Sequence, residues 1–410
     1  MKAEFSTPRE SKTRSDPQAP AAPGSQESQL MKITNPSPDT SRRNFLQQLL
    51  LSAAAGTALS SVVWAERTAT LVDADLSTAM GHAELSMLFH GSTADECRAW
   101  QDKFRAQLST LLGDSSAPAA WTPVEQSRQE FERYTRFELL LTADGIPSLP
   151  VYLLVPKGPP NAKWPAVLCV HGHGPFGNDA VVGIRDAEGA AEHIAQLNYD
   201  YAHQFAERGY VVAAPCMIPF GRRVDRESYH GNDPCAVTFV RMQALGRLPI
   251  TANLRDLRWS LDLLESRPEV VRGAIGCAGL SYGGRMTMLV AAVDRRIRVA
   301  AVSGALNLLQ ERMTLRHSCG SQMIPGLLKY GDYSEIGSLI APRPCVWETG
   351  SNDGLIVRPW DDVFRNRLRR AYADLGAADQ LHFDRFEGAH EWSGRIAFPL
   401  FDEILKTPQS

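Results

Sequence analysis

Short apolar runs alternate with longer amphipathic runs along the chain after about residue 130. The runs VLCV (167–170) and VVAAP (211–215) contain no polar side chain, whereas NLRDLRWSLDLLESR (253–267) places apolar residues three and four apart. Continuous apolar runs are typical of strands buried on both faces, and the second spacing is typical of amphipathic helices. The alternation predicts an α/β fold with a mostly parallel sheet covered by helices on both faces.

Other patterns precede and interrupt this alternation. Residues 75–113 have helical periodicity that ends at APAAWTP, which predicts a helical extension over 66–125 packed on a catalytic domain over 126–410. Two β-rich runs around ADGIPS predict a hairpin at the start of that domain. Long inserts at 175–198 and 217–252 follow strand ends. Because open α/β sheets bind ligands there, we expect these inserts to recognise substrate.

Composition narrows the possible partners. The 410 residues carry a formal charge of −3 and are 44% hydrophobic, which is ordinary for a globular protein. The charge balance gives no reason to expect nucleic acid or an anionic membrane surface. The body of the chain has no apolar run of about 20 residues, so a protein with several membrane spans is not expected. Oligomeric state is left open.

Seven cysteines form no CxxC pair, so the sequence gives little support for a zinc site. Four of them lie in strand-like runs, which favours buried thiols. Cys235 and Cys319 lie in loop-like sequence and could pair as a disulfide, and the odd count leaves at least one thiol free.

The first 65 residues have the pattern of an export signal. Residues 1–40 are rich in Ser, Pro, Ala and Gln, which predicts a disordered leader. Arg42 and Arg43 then precede an apolar segment that ends at Ala65. This pattern predicts a twin-arginine signal over 41–65, recognised by the twin-arginine export machinery, and a periplasmic or secreted protein without a stable membrane span after cleavage. A start at Met31, a retained anchor and an ordinary helix with chance arginines are alternatives.

A glycine-flanked serine lies between a predicted strand and a predicted helix. GLSYG (279–283) matches GxSxG, and the glycines permit the sharp strand-to-helix turn that exposes a nucleophile. A serine hydroxyl needs a base within hydrogen-bond reach, a group that orients the base, and donors for the oxyanion. We expect Ser281 to be the nucleophile, with a simple connecting turn as the alternative.

The base is expected in the loop after the last strand. FEGAHEW places His390 there, whereas His382 lies within the strand and His317 lies far upstream. His390 is therefore the predicted base.

The acid is expected after the preceding strand. ETGSNDGLI places Asp353 in a polar loop, with Glu348 as its rival and a plain turn as the alternative role. The order Ser281, Asp353, His390 is that of α/β-hydrolases.

Oxyanion donors are expected from two backbone N–H groups. One belongs to Tyr282, directly after the serine, and the other to His173 in the glycine-rich loop HGHGPFG. His171 and His173 could also suggest a metal. No carboxylate cluster completes such a site, so we predict loop-shaping histidines, no metal and no cofactor.

Together, VLCVHGHG, FAERGYVVAAP, IPFGRR, AGLSYGGRMTMLVAAVDRRI, GSNDGLI and EGAHEW resemble the α/β-hydrolase superfamily, in its dienelactone-hydrolase-like and acetyl-xylan-esterase-like branch. The resemblance covers about residues 120–405. It implies acyl transfer through a Ser-His-Asp triad and a small-molecule ester substrate. Dienelactone hydrolases usually carry a cysteine nucleophile, so Ser281 points to carboxylic esters instead. Arg222 and Arg223 of IPFGRR resemble a loop near the pocket and could meet a polar or anionic substrate, or simply face solvent.

The expected function is therefore a serine esterase for short-acyl esters, with acetylated carbohydrates or similar small esters as candidate substrates. A peptidase of the prolyl-oligopeptidase kind would use the same triad, but it usually brings a large propeller domain for which this chain has no room. A catalytically silent binding protein with the hydrolase fold is the other alternative.

Overall fold

The structure is a computed structural model that describes residues 72–315 and 318–407. The leader, the twin-arginine segment and His317 lie outside the described residues. Within these residues, nine strands form one sheet in the order β1-β2-β3-β5-β4-β6-β7-β8-β9. The strands are β1 (Thr122–Glu130), β2 (Tyr134–Ala143), β3 (Ile146–Pro156), β4 (Trp164–Val170), β5 (Val211–Pro215), β6 (Val270–Leu280), β7 (Ile297–Ser303), β8 (Cys345–Gly350) and β9 (Leu381–Phe386).

Twelve helices are described around this sheet. They are α1 (Val72–Gly81), α2 (Ala94–Leu112), α3 (Asn178–Val181), α4 (Ala190–Leu197), α5 (Tyr201–Glu207), α6 (Pro234–Ala244), α7 (Pro249–Ser266), α8 (Tyr282–Val293), α9 (Leu309–Leu315), α10 (Tyr333–Ser338), α11 (Trp360–Asp374) and α12 (Ala397–Lys406). Short 3-10 turns lie at Gly221–Arg223, Glu227–Tyr229, Gly320–Gln322, Leu327–Lys329 and Ala378–Gln380.

The sheet is parallel from β5 to β9 and antiparallel at its other end. β5, β4, β6, β7, β8 and β9 pair in parallel, and β1, β2, β3 and β5 pair in antiparallel fashion. The hairpin of β2 and β3 turns at the ADGIPS segment, as the sequence predicted. The parallel strands end at one edge of the sheet, and their following loops meet there.

Helices cover both faces of the sheet, and the side chains of β4 show how. Leu168 and Val170 join a core with α2, α7, α8 and α11, whereas Val167 and Cys169 join a second core with α5 and α12. Alternate residues of a strand point to opposite faces, so a fully apolar strand requires two covered faces. The predicted α/β-hydrolase architecture is confirmed.

The helical extension packs directly on this framework. A capping box between Thr93 and Glu96 begins α2, whose Phe104 and Leu108 are buried in the first core. Gln101 of α2 donates hydrogen bonds of 2.9 Å to the backbone oxygens of Ser338 and Ala341. The sheet begins at Thr122 of β1, slightly before the boundary of 126 expected from the sequence.

The two inserts contain helices of their own. The first holds α3 and α4, and the second holds two 3-10 turns and α6. Among the described residues, no helix is both long enough and apolar enough to cross a bilayer.

Candidate functional site

Ser281 occupies a strained turn between β6 and α8. Its backbone has φ 64° and ψ −121°, a conformation that residues with a side chain rarely adopt. The turn is tight because a Cβ added at Gly283 would lie 1.9 Å from the carbonyl oxygen of Val170. Glycine at this position therefore lets β4 and the start of α8 approach each other, and Ser281 is left partly exposed at the strand end.

His390 and Asp353 form a hydrogen-bonded pair. Nδ1 of His390 lies 2.8 Å from Oδ2 of Asp353, and the Asp353 side chain is almost completely buried. The other carboxylate oxygen accepts a 2.8 Å hydrogen bond from the Leu355 N–H. This second bond holds the carboxylate in one orientation. Nε2 of His390 is buried, and no described group is hydrogen-bonded to it.

The end of β7 connects the serine to the histidine. The Ser281 N–H donates a 2.9 Å hydrogen bond to the carbonyl oxygen of Ser303. The next residue, Gly304, has φ 61°, and a Cβ there would lie 2.6 Å from Cε1 of His390. These contacts connect the segments that carry Ser281, Asp353 and His390, which follow β6, β8 and β9.

The rival residues are placed differently. Glu348 is buried within β8 and accepts hydrogen bonds from the N–H groups of Gly394 and Ser393, at 2.9 and 3.3 Å. Burial raises the pKa of Glu348 to about 7. The Glu348 carboxylate is therefore hydrogen-bonded to the segment after His390 and not to the imidazole. His382 lies within β9.

His171 shapes the loop after β4. Its Nε2 accepts a 2.9 Å hydrogen bond from the Met217 N–H, which leaves the proton on Nδ1 to be donated to the Gly172 oxygen at 2.8 Å. Burial lowers the pKa of His171 to about 4, so the ring is neutral. The Gly172 N–H in turn donates to the Tyr199 hydroxyl at 2.5 Å. His171 therefore joins the loop to the segment after β5.

The two predicted oxyanion donors lie beside Ser281. Tyr282 and His173 line the same cavity as the serine, and neither backbone N–H donates to a described protein group. Tyr282 is fixed by its hydroxyl, which accepts from Asn253 at 2.9 Å and donates to the Ser321 oxygen at 3.1 Å. The first N–H groups of a helix lack intrahelical partners, so that of Tyr282 is available to a ligand.

The cavity over Ser281 has a volume of about 390 Å³ and a mixed polar lining. Its walls come from the loop after β4, the second insert, the start of α8, and the segments after β7. Besides Ser281 and Tyr282, the polar and charged side chains among the lining residues are His173, Asp233, Arg285, Asn307, Arg312, Ser318 and Gln322. Such a lining suits a substrate that carries hydrogen-bonding groups.

Arg285 is one of several lining residues that the sequence analysis did not single out. It is fully buried, its guanidinium donates to Asn307, and it stacks 3.5 Å from the Tyr333 ring centre. Burial lowers its pKa to about 10. The available signal was one arginine inside the apolar run of α8, a position where a charge needs a buried partner.

Arg222 and Arg223 lie outside the cavity lining. Arg222 pairs with Glu138 and lies 5.0 Å from the Tyr152 ring centre. Arg223 is buried against Asp256 and also donates to the Cys216 oxygen at 3.2 Å. Both arginines therefore pair with protein acidic groups, although Nη2 of Arg223 is buried and no described group is hydrogen-bonded to it. The cavity therefore gives no support to the expectation that the two arginines meet substrate.

Comparison with known proteins identifies the family of this chain. Residues 149–307 match the model of the dienelactone hydrolase family. The Bacillus subtilis (strain 168) protein "Putative hydrolase YtaP" is 31% identical over 294 residues, which cover 70% of this chain and 92% of that protein. The chain belongs to the dienelactone hydrolase family. Membership makes it a hydrolase of the α/β-hydrolase superfamily.

Solved structures share the fold. A structure described as a "putative acetyl xylan esterase" from Bacteroides fragilis NCTC 9343 matches with a TM-score of 0.65 and 21% identity, over 81% of this chain and 83% of that one. A glucuronoyl esterase from Solibacter usitatus matches with a TM-score of 0.56 and 15% identity, over 75% of this chain and 93% of that one. At these identities the likeness supports the α/β-hydrolase fold.

Proposed function

We propose that this protein is a serine esterase that cleaves short-acyl carboxylic esters through Ser281, His390 and Asp353. The hydrogen bond between His390 and Asp353, next to a serine held in a strained exposed turn, carries the proposal. Asp353 holds the imidazole with its Nδ1 protonated, which leaves Nε2 as the basic nitrogen. The unpartnered Nε2 of His390 is consistent with a free enzyme, because catalytic hydrogen bonds often tighten only when substrate binds.

The proposed reaction has two acyl-transfer steps. The Ser281 oxygen attacks the ester carbonyl while His390 takes its proton, and the N–H groups of Tyr282 and His173 bind the oxyanion. His390 then donates the proton to the departing alcohol, leaving an acyl-enzyme on Ser281. A water molecule, deprotonated by His390, attacks the acyl-enzyme and releases the carboxylic acid.

The lining of the cavity favours a polar alcohol component. Arginine, aspartate, asparagine and glutamine side chains surround the serine, and such groups hydrogen-bond readily to hydroxyls. Two structures that share the fold are described as a "putative acetyl xylan esterase" and a "Glucuronoyl Esterase". We therefore include acetylated carbohydrates and similar small esters among the proposed substrates.

Hydrolysis of p-nitrophenyl acetate, butyrate and octanoate tests the proposal. We expect the acetate ester to be preferred, and Ser281→Ala to lower its rate by about four to six powers of ten. Stoichiometric labelling of Ser281 by a fluorophosphonate would separate an active enzyme from a silent binding protein. A folded protein that neither labels nor hydrolyses any of the esters, or a variant as active as the parent, would contradict the proposal.

We also propose that the protein is exported through its twin-arginine segment and acts in the periplasm or outside the cell. The pair Arg42 and Arg43 supports this, since both arginines precede a moderately apolar segment. Replacing both with lysine should retain the precursor inside the cell. Export of that variant at the parental level would argue against this route.

A further inference from the structure

Two cysteines and a histidine from distant segments meet in the wall of the cavity. Cys235 is the second residue of α6, Cys319 precedes the 3-10 turn Gly320–Gln322, and His173 lies in the loop after β4. Their ligand atoms all lie within 4.8 Å of one another. Both thiols are free, so the disulfide considered from the sequence is not formed. All three residues line the cavity that contains Ser281.

The donor set matches that of a thiophilic divalent metal. Two sulfurs and one imidazole nitrogen are the ligands that Zn²⁺ takes in Cys₂His sites with an open fourth position. Tetrahedral Zn²⁺, with Zn–S near 2.3 Å and Zn–N near 2.0 Å, places its ligand atoms about 3.5–3.8 Å apart. The limit of 4.8 Å therefore requires side-chain movements of about 1 Å at most, which rotamer adjustment supplies.

The surroundings of the ligands favour this assignment. Nε2 of His173 is buried, and no described group is hydrogen-bonded to it. The ring of His173 packs edge-on against Phe220, at 5.3 Å between ring centres. The Ser321 N–H donates to Sγ of Cys319 at 3.3 Å, the kind of outer contact that orients a thiolate ligand.

We propose that Cys235, Cys319 and His173 form a binding site for one thiophilic divalent cation of the Zn²⁺ class, with a water molecule as the fourth ligand. Both sulfurs bind as thiolates, so the thiol protons of Cys235 and Cys319 pass to solvent as the two sulfur–metal bonds form. Two thiolates and a neutral imidazole balance the charge of the ion. No electron transfer or other reactant is involved.

Binding would join three elements that the sequence leaves separate. The ion would connect the second insert, through α6, to the segment after α9 and to the loop that carries the proposed oxyanion donor of His173. The cavity wall next to Ser281 would thereby be held by coordinate bonds rather than by packing alone. The inference goes beyond the proposed esterase function, because the site can be measured without any ester.

Cobalt titration of the full chain tests the site directly. The protein is stripped of metal with a chelator, kept reduced, and titrated with Co²⁺, whose tetrahedral thiolate complexes absorb visible and near-ultraviolet light. We expect one Co²⁺ per chain, displacement by Zn²⁺, and proton release on binding. The Ser281→Ala variant should bind equally well, so failure of the metal proposal and failure of the esterase proposal give different results.

Cysteine variants identify the ligands. Loss of an outer contact at a metal site typically weakens binding 10- to 100-fold, so Cys235→Ala and Cys319→Ala, which remove a ligand, should weaken it by about 100-fold or more. Cys97→Ala is the matched control, because Cys97 is a buried cysteine of α2 outside the cavity. Protection of Cys235 and Cys319 from alkylation by Zn²⁺ in the unaltered chain tests the site even if a variant fails to fold.

Three results would overturn the proposal. The first is the absence of stoichiometric Co²⁺ binding by the reduced chain. The second is unchanged binding by both cysteine variants. The third is a Cys235–Cys319 disulfide in protein isolated under non-reducing conditions, found by peptide mapping, because a disulfide removes both thiolate ligands.

Discussion

At the scale of single residues, two buried carboxylates near His390 have different surroundings. Asp353 bonds directly to the imidazole, whereas Glu348 bonds to the backbone of Ser393 and Gly394. We predict that Asp353→Asn lowers kcat on p-nitrophenyl acetate by about 10⁴, because the amide no longer favours the catalytic tautomer of His390. Glu348→Gln should keep kcat within a few-fold of the parent. If Glu348→Gln lowered kcat more than Asp353→Asn does, Glu348 rather than Asp353 would be the acid that orients His390.

Glu348 should appear in the pH dependence of stability. Its folded pKa of about 7 lies above the ordinary value of 4.5 for a glutamate, so the fold favours the protonated form. The stability that this carboxyl contributes is complete below about pH 4.5 and is lost as the pH rises through 7. We predict that the difference in free energy of unfolding between Glu348→Gln and the parent shifts in favour of the variant between pH 5 and pH 8. The shift should be up to about 3 kcal/mol.

Denaturant unfolding at the two pH values measures this difference. Glu403→Gln serves as the control, because Glu403 is an exposed residue of α12 and its replacement should leave the pH dependence unchanged. An identical pH dependence in the Glu348 variant and the parent would mean that the buried carboxyl does not change its protonation over this range.

The sequence was sufficient to predict candidate site residues that lie in the loops following strands. Ser281 directly follows β6, and Asp353 and His390 lie in the loops after β8 and β9, so the topology brings their segments to one edge of the sheet. Arg285 escaped prediction because its partners, Asn307 and Tyr333, come from segments whose packing the sequence does not reveal. The sequence suggested Cys235 and Cys319 only as a possible disulfide, and it did not predict that His173 lies beside them, for the same reason.

At the scale of elements, the turn between β6 and α8 depends on glycine. A Cβ at Gly283 would lie 1.9 Å from the Val170 oxygen and 2.8 Å from the His171 oxygen, and neither backbone atom can move without displacing β4. We predict that Gly283→Ala either prevents stable folding or moves Ser281 enough to lower kcat/KM by at least about 100-fold.

Gly81→Ala is the matched control for this prediction. A Cβ at Gly81, the last residue of α1, would have no neighbour within 4 Å. Thermal unfolding and kcat/KM of the two variants should therefore differ sharply. A Gly283→Ala protein with the parental Tm and activity would show that the close approach of β4 to α8 is not needed.

Elements with a clear apolar period were predictable, and others were not. The helices α7 and α8 and the parallel strands agree with their patterns, because each buries at least one face. β1 was missed because all nine of its residues are exposed at the edge of the sheet. Its sequence therefore lacks the apolar pattern that a buried strand shows. The helices of the inserts are short, and their positions depend on contacts with the rest of the chain.

At the scale of the whole molecule, the described residues 72–407, apart from 316 and 317, contain the sheet, both cores and the candidate site. α2 is the N-terminal element on which the larger core depends. Phe104, Leu108 and Leu112 are buried there, and Gln101 bonds to the backbone near α10. At about 1.5–3 kcal/mol for each large apolar side chain, losing α2 would remove roughly 5–9 kcal/mol, comparable with the whole stability of a typical protein.

Two truncations should therefore behave in opposite ways. A chain that begins at Glu66 keeps every element of the described core, so we predict the Tm and the kcat/KM of the full-length protein. A chain that begins at Gly113 lacks α2, and we predict that it accumulates unfolded or aggregated, because the vacated surface of the first core is large and apolar. Circular dichroism melting and p-nitrophenyl acetate hydrolysis measure both outcomes. A stable, active chain from Gly113 would show that the helical extension is dispensable, and unfolding of the chain from Glu66 would place part of the core before that residue.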